Sequence, residues 1–281
     1  MNKINLMING LPGNVAKIMA AAALKDDRFN VIPFSFTGQE IDEECIKLDK
    51  ITIELIKSDT RDDKIKEIKS QFASFVIIDF THPTAVNANA LFYTENQIPF
   101  VMGTTGGDRQ KLEQVVKNAA TPAVIAPNMA KQIVGFQAMM EYAANSFTDL
   151  FKGYTLEVIE SHQNGKADTS GTAKEMVGYF NKLGPEFSVN EIQMIRDPKI
   201  QEQELKIPKE HLTGHGWHTY TLKSKDGSAL FEFKHNINGR DIYVNGTFDA
   251  VMFLVKQVEK QVEESGNSKK LYTMIDVLNQ D

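Results

Sequence analysis

Residues 160–172 combine side chains that can transfer protons with groups that can bind an anion. The stretch carries His162, Lys166 and Asp168 and ends in the turn Ser170-Gly171-Thr172, just before a predicted helix. A histidine exchanges protons near neutral pH, and a lysine can neutralise an anion or donate a proton. The turn can direct hydroxyls and helix N-terminal amides at a carboxylate. The alternative is an ordinary capped helix with solvated charges, but the density of these groups favours a catalytic, anion-binding loop.

A glycine-containing turn follows the first predicted strand and opens a helix. Its pattern is Gly10-x-x-Gly13-x-x-Ala16, in which glycine lets the backbone approach a ligand and alanine permits helix–strand packing. Backbone amides and the positive helix end can hold a pyrophosphate there. Pro12 stands where the full dinucleotide fingerprint has glycine, and glycine turns after strands are common. The position in the first strand–helix turn still predicts nucleotide binding, through the residues Gly10, Pro12, Gly13, Asn14 and Val15.

The residues after the second predicted strand bear on the choice of nicotinamide cofactor. A carboxylate there would bind a ribose 2′-hydroxyl, but the sequence has Ser35 and Thr37, and the first acid is Glu40. Hydroxyls can hydrogen-bond a 2′-phosphate, and the missing carboxylate removes its repulsion. We therefore predict NADPH as the preferred cofactor, with NADH as a second possibility, although this turn contains no arginine.

Two further loops follow predicted strands, at the edge where open α/β sheets bind ligands. One contains Phe80 and Thr81, and the other contains Gly103, Thr104 and Thr105. Both could be ordinary turns, but the hydroxyls and free amides of the second loop favour a contribution to cofactor binding.

Strand and helix patterns change near residue 130. Before it, strands alternate with helices, which indicates a doubly wound parallel sheet. The predicted strands of this part cover residues 4–8, 31–36, 51–56, 75–80, 99–102 and 123–126. The predicted elements after it are a helix over 131–146, strands over 155–160, 217–222, 229–235 and 241–246, and helices over 248–262 and 269–279.

The predicted fold class is therefore α/β: a Rossmann-like doubly wound parallel sheet with a second α+β substrate domain that contains an open mixed sheet. We place the dinucleotide-binding domain at residues 1–130, completed by the C-terminal helices at 241–281. The substrate-binding domain occupies residues 131–240.

The overall composition limits the classes of partner. The chain has 281 residues and a net charge of −6, which suits two globular domains and argues against nucleic acid as the main partner. No stretch reaches the ~18 apolar residues of a membrane span. The one cysteine, Cys45, allows no intrachain disulfide, and the N-terminus lacks a signal-peptide cleavage pattern, so we expect a cytoplasmic protein. No metal is predicted, because the histidines lack paired ligand spacing.

Taken together, these motifs resemble those of the 4-hydroxy-tetrahydrodipicolinate reductases, also called dihydrodipicolinate reductases. The main signature is Glu-x-His-x-x-x-Lys-x-Asp over residues 160–168, followed by Ser-Gly-Thr-Ala. The family's order is also matched by residues 79–83, 103–106 and 126–129 and by His235-x-x-x-x-Arg240. The chain also departs from the common family pattern at Gln163, where many members have a second histidine, and at Ala16, Thr169 and residues 214–218. These departures are similar to those of the divergent plant-type branch.

The resemblance implies an activity: NAD(P)H-dependent reduction of 4-hydroxy-2,3,4,5-tetrahydrodipicolinate, with loss of water, in diaminopimelate and lysine biosynthesis. It gives His162 the role of general acid and Lys166 that of its partner. A substrate carboxylate is assigned to Lys166, Ser170, Gly171 and Thr172, with Arg240 as a second anion-binding candidate. Pro127, Asn128 and Met129 join the cofactor-binding residues. A homo-oligomer, either a dimer or a tetramer, built through the open sheet of residues 131–240 is also implied.

Two other classes of function remain open on the sequence. Another two-domain reductase, such as an aspartate or homoserine dehydrogenase-like enzyme, would place different residues in the catalytic loop. A non-catalytic NADP-binding sensor would not need the proton-transfer pair His162 and Lys166.

Overall fold

The computed structural model describes residues 3–263 and 269–279. The chain divides into two compact units, which we call unit 1 (Met1–Lys131 with Tyr243–Asp281) and unit 2 (Gln132–Ile242). These limits lie one and two residues from the predicted boundaries after residues 130 and 240. Residues 264–268 and 280–281 of the predicted C-terminal segment lie outside the described residues.

The described elements alternate in type through unit 1 and are mixed in unit 2. The strands are β1 (Ile4–Asn9), β2 (Phe29–Val31), β3 (Phe34–Phe36), β4 (Cys45–Leu48), β5 (Ile51–Ile56), β6 (Val76–Asp79), β7 (Phe100–Met102), β8 (Ala123–Ile125), β9 (Thr155–His162), β10 (Gln193–Ile195), β11 (His215–Lys223), β12 (Leu230–Asn238) and β13 (Leu271–Tyr272). The helices are α1 (Asn14–Ala23), α2 (Arg61–Gln71), α3 (Val86–Glu95), α4 (Arg109–Lys117), α5 (Lys131–Ser146), α6 (Gly171–Lys182), α7 (Pro198–Gln203), α8 (Ile242–Glu263) and α9 (Met274–Leu278).

Unit 1 is built on a six-stranded sheet in the order β13-β8-β7-β6-β1-β2, and all neighbouring strands are parallel. The central strands β6, β7 and β8 are buried along their whole length, as continuous apolar sequences predict. Met7, Ile77 and Phe100 form part of a core that also includes Ile68 and Tyr93 from the covering helices. This arrangement confirms the predicted Rossmann-like parallel sheet.

The predicted second strand is in fact two strands in different sheets. Pro33 lacks an amide hydrogen and interrupts the ladder, so β2 pairs with β1 while β3 pairs with β5. A separate three-stranded sheet results, in the order β3-β5-β4, with β4 antiparallel to β5. The sequence pattern did not predict β4.

Two predictions near the C-terminus were wrong. Residues 241–246 were predicted as a strand, but α8 begins at Ile242, and the hydroxyl of Thr247 donates to the carbonyl of Tyr243 at 2.8 Å, one helical turn back. Residues 269–279 were predicted as one helix, but Leu271–Tyr272 pairs with β8 as an edge strand. The helix α9 starts only after Thr273, which forms a capping box with Asp276.

Unit 2 contains a four-stranded mixed sheet in the order β10-β9-β11-β12. One face packs against α5 and α6 through Met140, Val177 and Phe180. The other face carries the alternate side chains of β11, which are only partly buried, so the sheet is open as predicted. The turn at Asp226-Gly227 joins β11 to β12, with the hydroxyls of two serines donating to Asp226. Strand β9 runs two residues beyond its predicted end and includes His162.

Helix α8 packs tightly on the loop after β8. A Cβ atom on Gly246 would lie 1.9 Å from the carbonyl oxygen of Met129, whereas a Cβ on Gly178, in α6, would meet nothing within 4 Å. The two helical glycines therefore differ in packing, although both weaken a helix by their backbone freedom.

We predict opposite effects for alanine at these two positions. Gly246→Ala should lower the free energy of unfolding by roughly 1–3 kcal/mol, because the methyl group overpacks a backbone contact. Gly178→Ala should raise it by about 0.5–1 kcal/mol, because alanine is the better helix former. Urea denaturation followed by circular dichroism measures both. Equal effects of the two variants would contradict the close approach of α8 to Met129.

Candidate active site

The sheet of unit 2 places three polar side chains in one row across three strands. Glu160 on β9 is the register partner of His218 on β11, and His218 is the partner of His235 on β12. Side chains two residues apart on a strand share a face, so His162 lies in the next row, opposite Gly216. The rings of His162 and His218 meet edge to face at 5.1 Å. The predicted catalytic histidine thus belongs to a strand-held cluster and not to a free loop.

The hydrogen bonding of His162 determines which ring nitrogen faces a ligand. Its Nδ1 lies 3.0 Å from the carbonyl oxygen of His215, and a carbonyl only accepts, so Nδ1 carries the hydrogen. Its Nε2 is buried and has no hydrogen-bond partner among the described residues. Burial lowers the pKa of His162, while the Glu160 charge raises it and the Arg196 charge lowers it. Nε2 is therefore the atom available for proton exchange with a bound molecule.

The two histidines beside it are held in their neutral form. His218 stacks on His235 with 4.6 Å between ring centroids. Burial lowers the pKa of His218 well below its usual value, helped by the neighbouring His235. Burial, with a smaller contribution from His162, lowers the pKa of His235 to about 4. Positive charge is therefore excluded from this part of the cluster near neutral pH.

Lys166 lies in the loop after β9, and its ammonium contacts a neighbouring carboxylate. Its Nζ donates to Asp168 at 2.8 Å, and the Asp168 side chain is 76% exposed. The hydrogen bond to Lys166 lowers the pKa of Asp168. The Lys166 side chain is only 23% exposed, but solvent reaches the Asp168 carboxylate and screens the ion pair, which therefore contributes little stability. The ammonium can therefore exchange Asp168 for the carboxylate of a ligand at small cost.

The start of α6 lies beside this lysine. Ser170 occupies the N-cap position, but within the described residues no side chain caps the helix, and its first turn has no acid. The backbone N–H of Ser170 instead donates to the buried carboxylate of Glu160 at 3.0 Å. The remaining amides of the Gly171-Thr172 turn and the positive helix end suit an anion. Of the predicted substrate residues, Lys166 and Ser170 lie in the loop before α6, and Gly171 and Thr172 begin that helix.

Arg196 is a residue of this site that the sequence interpretation missed. It follows β10 directly, forms an ion pair with Glu160, and donates through Nε to the carbonyl of Lys166 at 2.8 Å. The Asp197-Pro198 pair after it predicts a helix start, and α7 does begin there. That signal places Arg196 at the end of a segment but does not reveal its contact with a residue 36 positions earlier. By contrast, among the described residues no hydrogen bond joins Arg240 to the loop of Lys166.

Glu160, His162 and His218 form a group whose ligand atoms lie within 4.8 Å of one another. Zinc holds its ligands at ~2.0–2.2 Å in a tetrahedron, which needs closer and freer atoms. Both Glu160 oxygens are already bound, one to Arg196 and one to the Ser170 amide. We therefore interpret the group as a buried carboxylate, held by Arg196 and the Ser170 amide, with two histidine rings packed beside it, and the absence of a metal stays a prediction.

The predicted cofactor loops follow parallel strands of unit 1 and meet at one edge of its sheet. Gly10, after β1, has φ +100°, and a Cβ there would lie 2.2 Å from the carbonyl of Phe80, after β6. Only glycine allows this approach. Helix α1 starts after Gly13, and no described side chain caps it. Its free first-turn amides at Asn14 and Val15 fit a pyrophosphate.

A buried carboxylate joins two of these loops. Asp79, at the end of β6, is completely buried. It accepts hydrogen bonds from the amide and hydroxyl of Thr81 at 3.0 and 2.8 Å and from the hydroxyl of Thr104 at 2.8 Å. Tyr93 and Asn89 donate to its other oxygen. The predicted loops at 80–81 and 103–105 therefore share one acceptor.

Other predicted cofactor residues have structural contacts of their own. The side chains of Ser35 and Thr37 are buried, and both bind the backbone of Leu11, so they shape the glycine turn. The carboxylate of Glu40 folds over Gly38, since a Cβ there would lie 2.1 Å from Glu40 Oε1. The loop of Pro127, Asn128 and Met129 follows β8 at the same sheet edge, and the Asn128 side chain accepts from the amide of Ala130.

The histidine cluster predicts how stability depends on pH. The folded pKa of His235 is about 4, below the unfolded value of about 6.5, so the unfolded chain binds the proton more tightly. The free energy of unfolding should therefore fall as pH decreases from about 6.5 to 4, by up to ~1.4 kcal/mol per pH unit for this one group. His235→Gln should flatten the dependence, whereas the exposed His82→Gln should not. Urea unfolding at several pH values tests this, and an unchanged slope in His235→Gln would refute it.

Comparison with known proteins agrees with both units. The family described as "Dihydrodipicolinate reductase, N-terminus" matches residues 4–129, and its C-terminal counterpart matches residues 133–278. The chain is 41% identical over 277 residues to 4-hydroxy-tetrahydrodipicolinate reductase 1, chloroplastic, of Arabidopsis thaliana, covering 99% of this chain and 78% of the relative. Identity to the 4-hydroxy-tetrahydrodipicolinate reductase of Picosynechococcus sp. is 25% over 260 residues, covering 88% of this chain and 91% of that protein. The greater similarity to the plant protein confirms the plant-type branch.

A solved structure supports the fold. The dipicolinate-bound dihydrodipicolinate reductase from Paenisporosarcina sp. TG-14 superimposes with a TM-score of 0.62 at 18% identity, covering 97% of this chain and 98% of that chain. Together with the two family matches, which cover nearly the whole sequence, this similarity leads to one conclusion: the chain belongs to the dihydrodipicolinate reductase family.

Proposed function

We propose that this protein is a 4-hydroxy-tetrahydrodipicolinate reductase of diaminopimelate and lysine biosynthesis. It would reduce 4-hydroxy-2,3,4,5-tetrahydrodipicolinate to 2,3,4,5-tetrahydrodipicolinate, consuming NAD(P)H and one proton and releasing water and NAD(P)⁺. The observation that carries the proposal is the unpaired Nε2 of His162 on the sheet that also carries the loop of Lys166 and α6. It supplies a proton-transfer atom in a family that acts on a dicarboxylate.

Substrate binding is assigned to the loop of unit 2. The chain has a net charge of −6, so a dicarboxylate needs local positive charge. Lys166 supplies an ammonium, and the Ser170-Gly171-Thr172 turn supplies the Ser170 hydroxyl and the amides of Gly171 and Thr172 at the positive end of α6. Together they would hold one carboxylate, and Arg240 is the candidate for the other.

His162 would deliver the proton. Burial lowers its pKa, so the ring is mainly neutral in the free protein near pH 7. A bound dicarboxylate adds negative charge, which favours the protonated ring. The acid would therefore be charged chiefly when substrate is bound, with Nδ1–H fixed by the His215 carbonyl and Nε2–H directed at the ligand.

The cofactor is assigned to unit 1. When bound, the reduced nicotinamide supplies the hydride. The cradle at Gly10, which a Cβ atom would fill, and the uncapped start of α1 fit a pyrophosphate. The hydroxyls of Thr81 and Thr104, aligned by Asp79, line the same sheet edge. These residues would bind and orient the cofactor.

We propose NADPH as the preferred cofactor, with NADH also accepted. No acid occupies Thr37-Gly38 directly after β3, so a 2′-phosphate meets no carboxylate at those two positions. The carboxylate of Glu40 nevertheless folds over Gly38 and would oppose the phosphate by its charge. The preference for NADPH over NADH should therefore be moderate, because the charge of Glu40 reduces it.

Glu40→Gln should strengthen the preference for NADPH. Glu40 is exposed, so its repulsion of a 2′-phosphate a few ångströms away acts largely through water. Removing its charge should change the ratio of the two dissociation constants by about 5–10-fold, as expected for a Coulomb energy of about 1 kcal/mol. Titration calorimetry with NADPH and NADH measures the ratio. Glu43→Gln, an exposed acid three residues away, is the matched control. An unchanged ratio in Glu40→Gln would exclude Glu40 from cofactor selection.

The partners and location form part of the same proposal. The open face of the unit 2 sheet supports a homo-oligomer, a dimer or a tetramer, which sedimentation analysis would distinguish. Within the described residues, every helix is too short or too polar to cross a membrane. We propose a cytoplasmic location, although the named plant relatives are chloroplastic, and cell fractionation tests it.

The activity is tested by NADPH oxidation with substrate generated in the cuvette. His162→Ala should lower kcat by ~10²–10⁴-fold, the usual contribution of a general acid. Lys166→Ala should lower kcat/KM by ~10–150-fold, as for a hydrogen bond to a charged group. Lys182→Ala, at the far end of α6, is the control and should retain full activity.

The results of the activity assay distinguish the proposed reductase from the other two classes of function. An inactive wild type that still binds NADPH would favour a cofactor-binding sensor. Turnover of another carbonyl or imine substrate in its place would favour a different two-domain reductase. Full activity of His162→Ala would remove that residue from the acid role.

A further inference from the structure

Arg196 reaches from the end of β10 to three points around the loop of Lys166. Its Nε donates to the carbonyl of Lys166 at 2.8 Å, and its Nη2 donates to the carbonyl of Asp168 at 3.4 Å. Nη1 lies 3.4 Å from the carbonyl of Glu160, and Nη2 forms an ion pair with the Glu160 carboxylate. The arginine side chain is only 15% exposed. It therefore contacts both the strand end and the interior of the loop.

The Glu160 carboxylate extends this connection to helix α6. It is completely buried and holds the guanidinium with one oxygen and the amide of Ser170 with the other. The loop 163–170 is thus fixed at its middle by Arg196 and at its end by Glu160. Both fixed points are backbone groups, so the fixation does not depend on the side chains that would bind a ligand.

We infer that Arg196 is a positioning residue, which holds Lys166 and the start of α6 in the geometry that captures a dicarboxylate. The inference rests on the proposed function, because it assigns the ligand of that loop. The planar guanidinium has donors in fixed directions, and it uses them on two loop carbonyls and one carboxylate at once. A lysine has the same charge but lacks this fork.

A simpler role for Arg196 is to neutralise the buried Glu160. The two roles differ in what restores function. If only the positive charge is needed, Arg196→Lys retains it and should bind ligand normally. The double variant Arg196→Met with Glu160→Gln should then also bind normally, because it leaves no unpaired buried charge, and replacing a buried ion pair is often neutral for stability. If the hydrogen bonds to the loop carbonyls are needed, neither variant restores ligand binding, because neither has a planar guanidinium to donate them.

The experiment measures binding of dipicolinate, a planar dicarboxylate, by titration calorimetry on the full-length protein, with the thermal unfolding temperature and NADPH turnover recorded in parallel. Arg196→Lys should weaken dipicolinate binding by roughly 10–100-fold, since misplacing a binding group by about 1 Å has effects of this size. KM should rise by a similar factor, while kcat changes less than fivefold. The double variant should also bind weakly, with an unfolding temperature near that of wild type. Lys199→Met, an exposed residue of α7, is the control and should bind as wild type does.

Two results would overturn the inference. One is dipicolinate binding within threefold of wild type in Arg196→Lys. The other is restored binding in the double variant, which decides the matter even if Arg196→Lys does not fold. A wild-type protein that neither binds dipicolinate nor turns over the substrate would instead refute the proposed function.

Discussion

The buried carboxylate of Glu160 is the constraint on which unit 2 depends. A charge without access to water is costly unless it is paired and hydrogen-bonded. Here the pairing groups are Arg196 and the amide of Ser170. Meeting that requirement draws the end of β10 and the start of α6 to the same strand. The loop 163–170, which runs from β9 to α6, therefore has little choice of path. The residues proposed to bind the substrate are thus placed by a residue that need not touch it.

Unit 1 uses the same principle at its cofactor edge. Asp79 is as deeply buried as Glu160, but it is surrounded by neutral donors from Thr81, Thr104 and Tyr93. Its oxygens draw together loops that follow two neighbouring strands. In both units, then, an acid at or near the C-terminal end of a strand gathers hydrogen-bond donors from the loops of a proposed ligand site. The proposed binding groups, such as the ammonium of Lys166, lie outside these buried carboxylates, where they can exchange a protein partner for a ligand.

The features predicted correctly from the sequence are those that depend on residues close together in the chain. The parallel strands are continuous apolar runs, the first glycine turn follows one of them, and Lys166 precedes its helix by a few residues. The failures have distant causes. Residues 241–246 alternate like a strand, but Gly246 packs as a helix against Met129. Arg196 pairs with a carboxylate 36 positions away, and no pattern in a single sequence reveals such a contact. Ser35 and Thr37 lie near the predicted place, but their hydroxyls bind the Leu11 backbone.

The order of the chain has a consequence for biosynthesis. Unit 1 is interrupted after Lys131 and resumes only at Tyr243, and its parallel sheet acquires the edge strand β13 from residues 271–272. Domains tend to fold as units while the chain is being made. All the strands and helices of unit 2 are available before α8 and β13 emerge from the ribosome. During translation, the parallel sheet of unit 1 is therefore the first to begin and the last to be completed. Until β13 is made, the edge of β8 that β13 will cover has no partner strand.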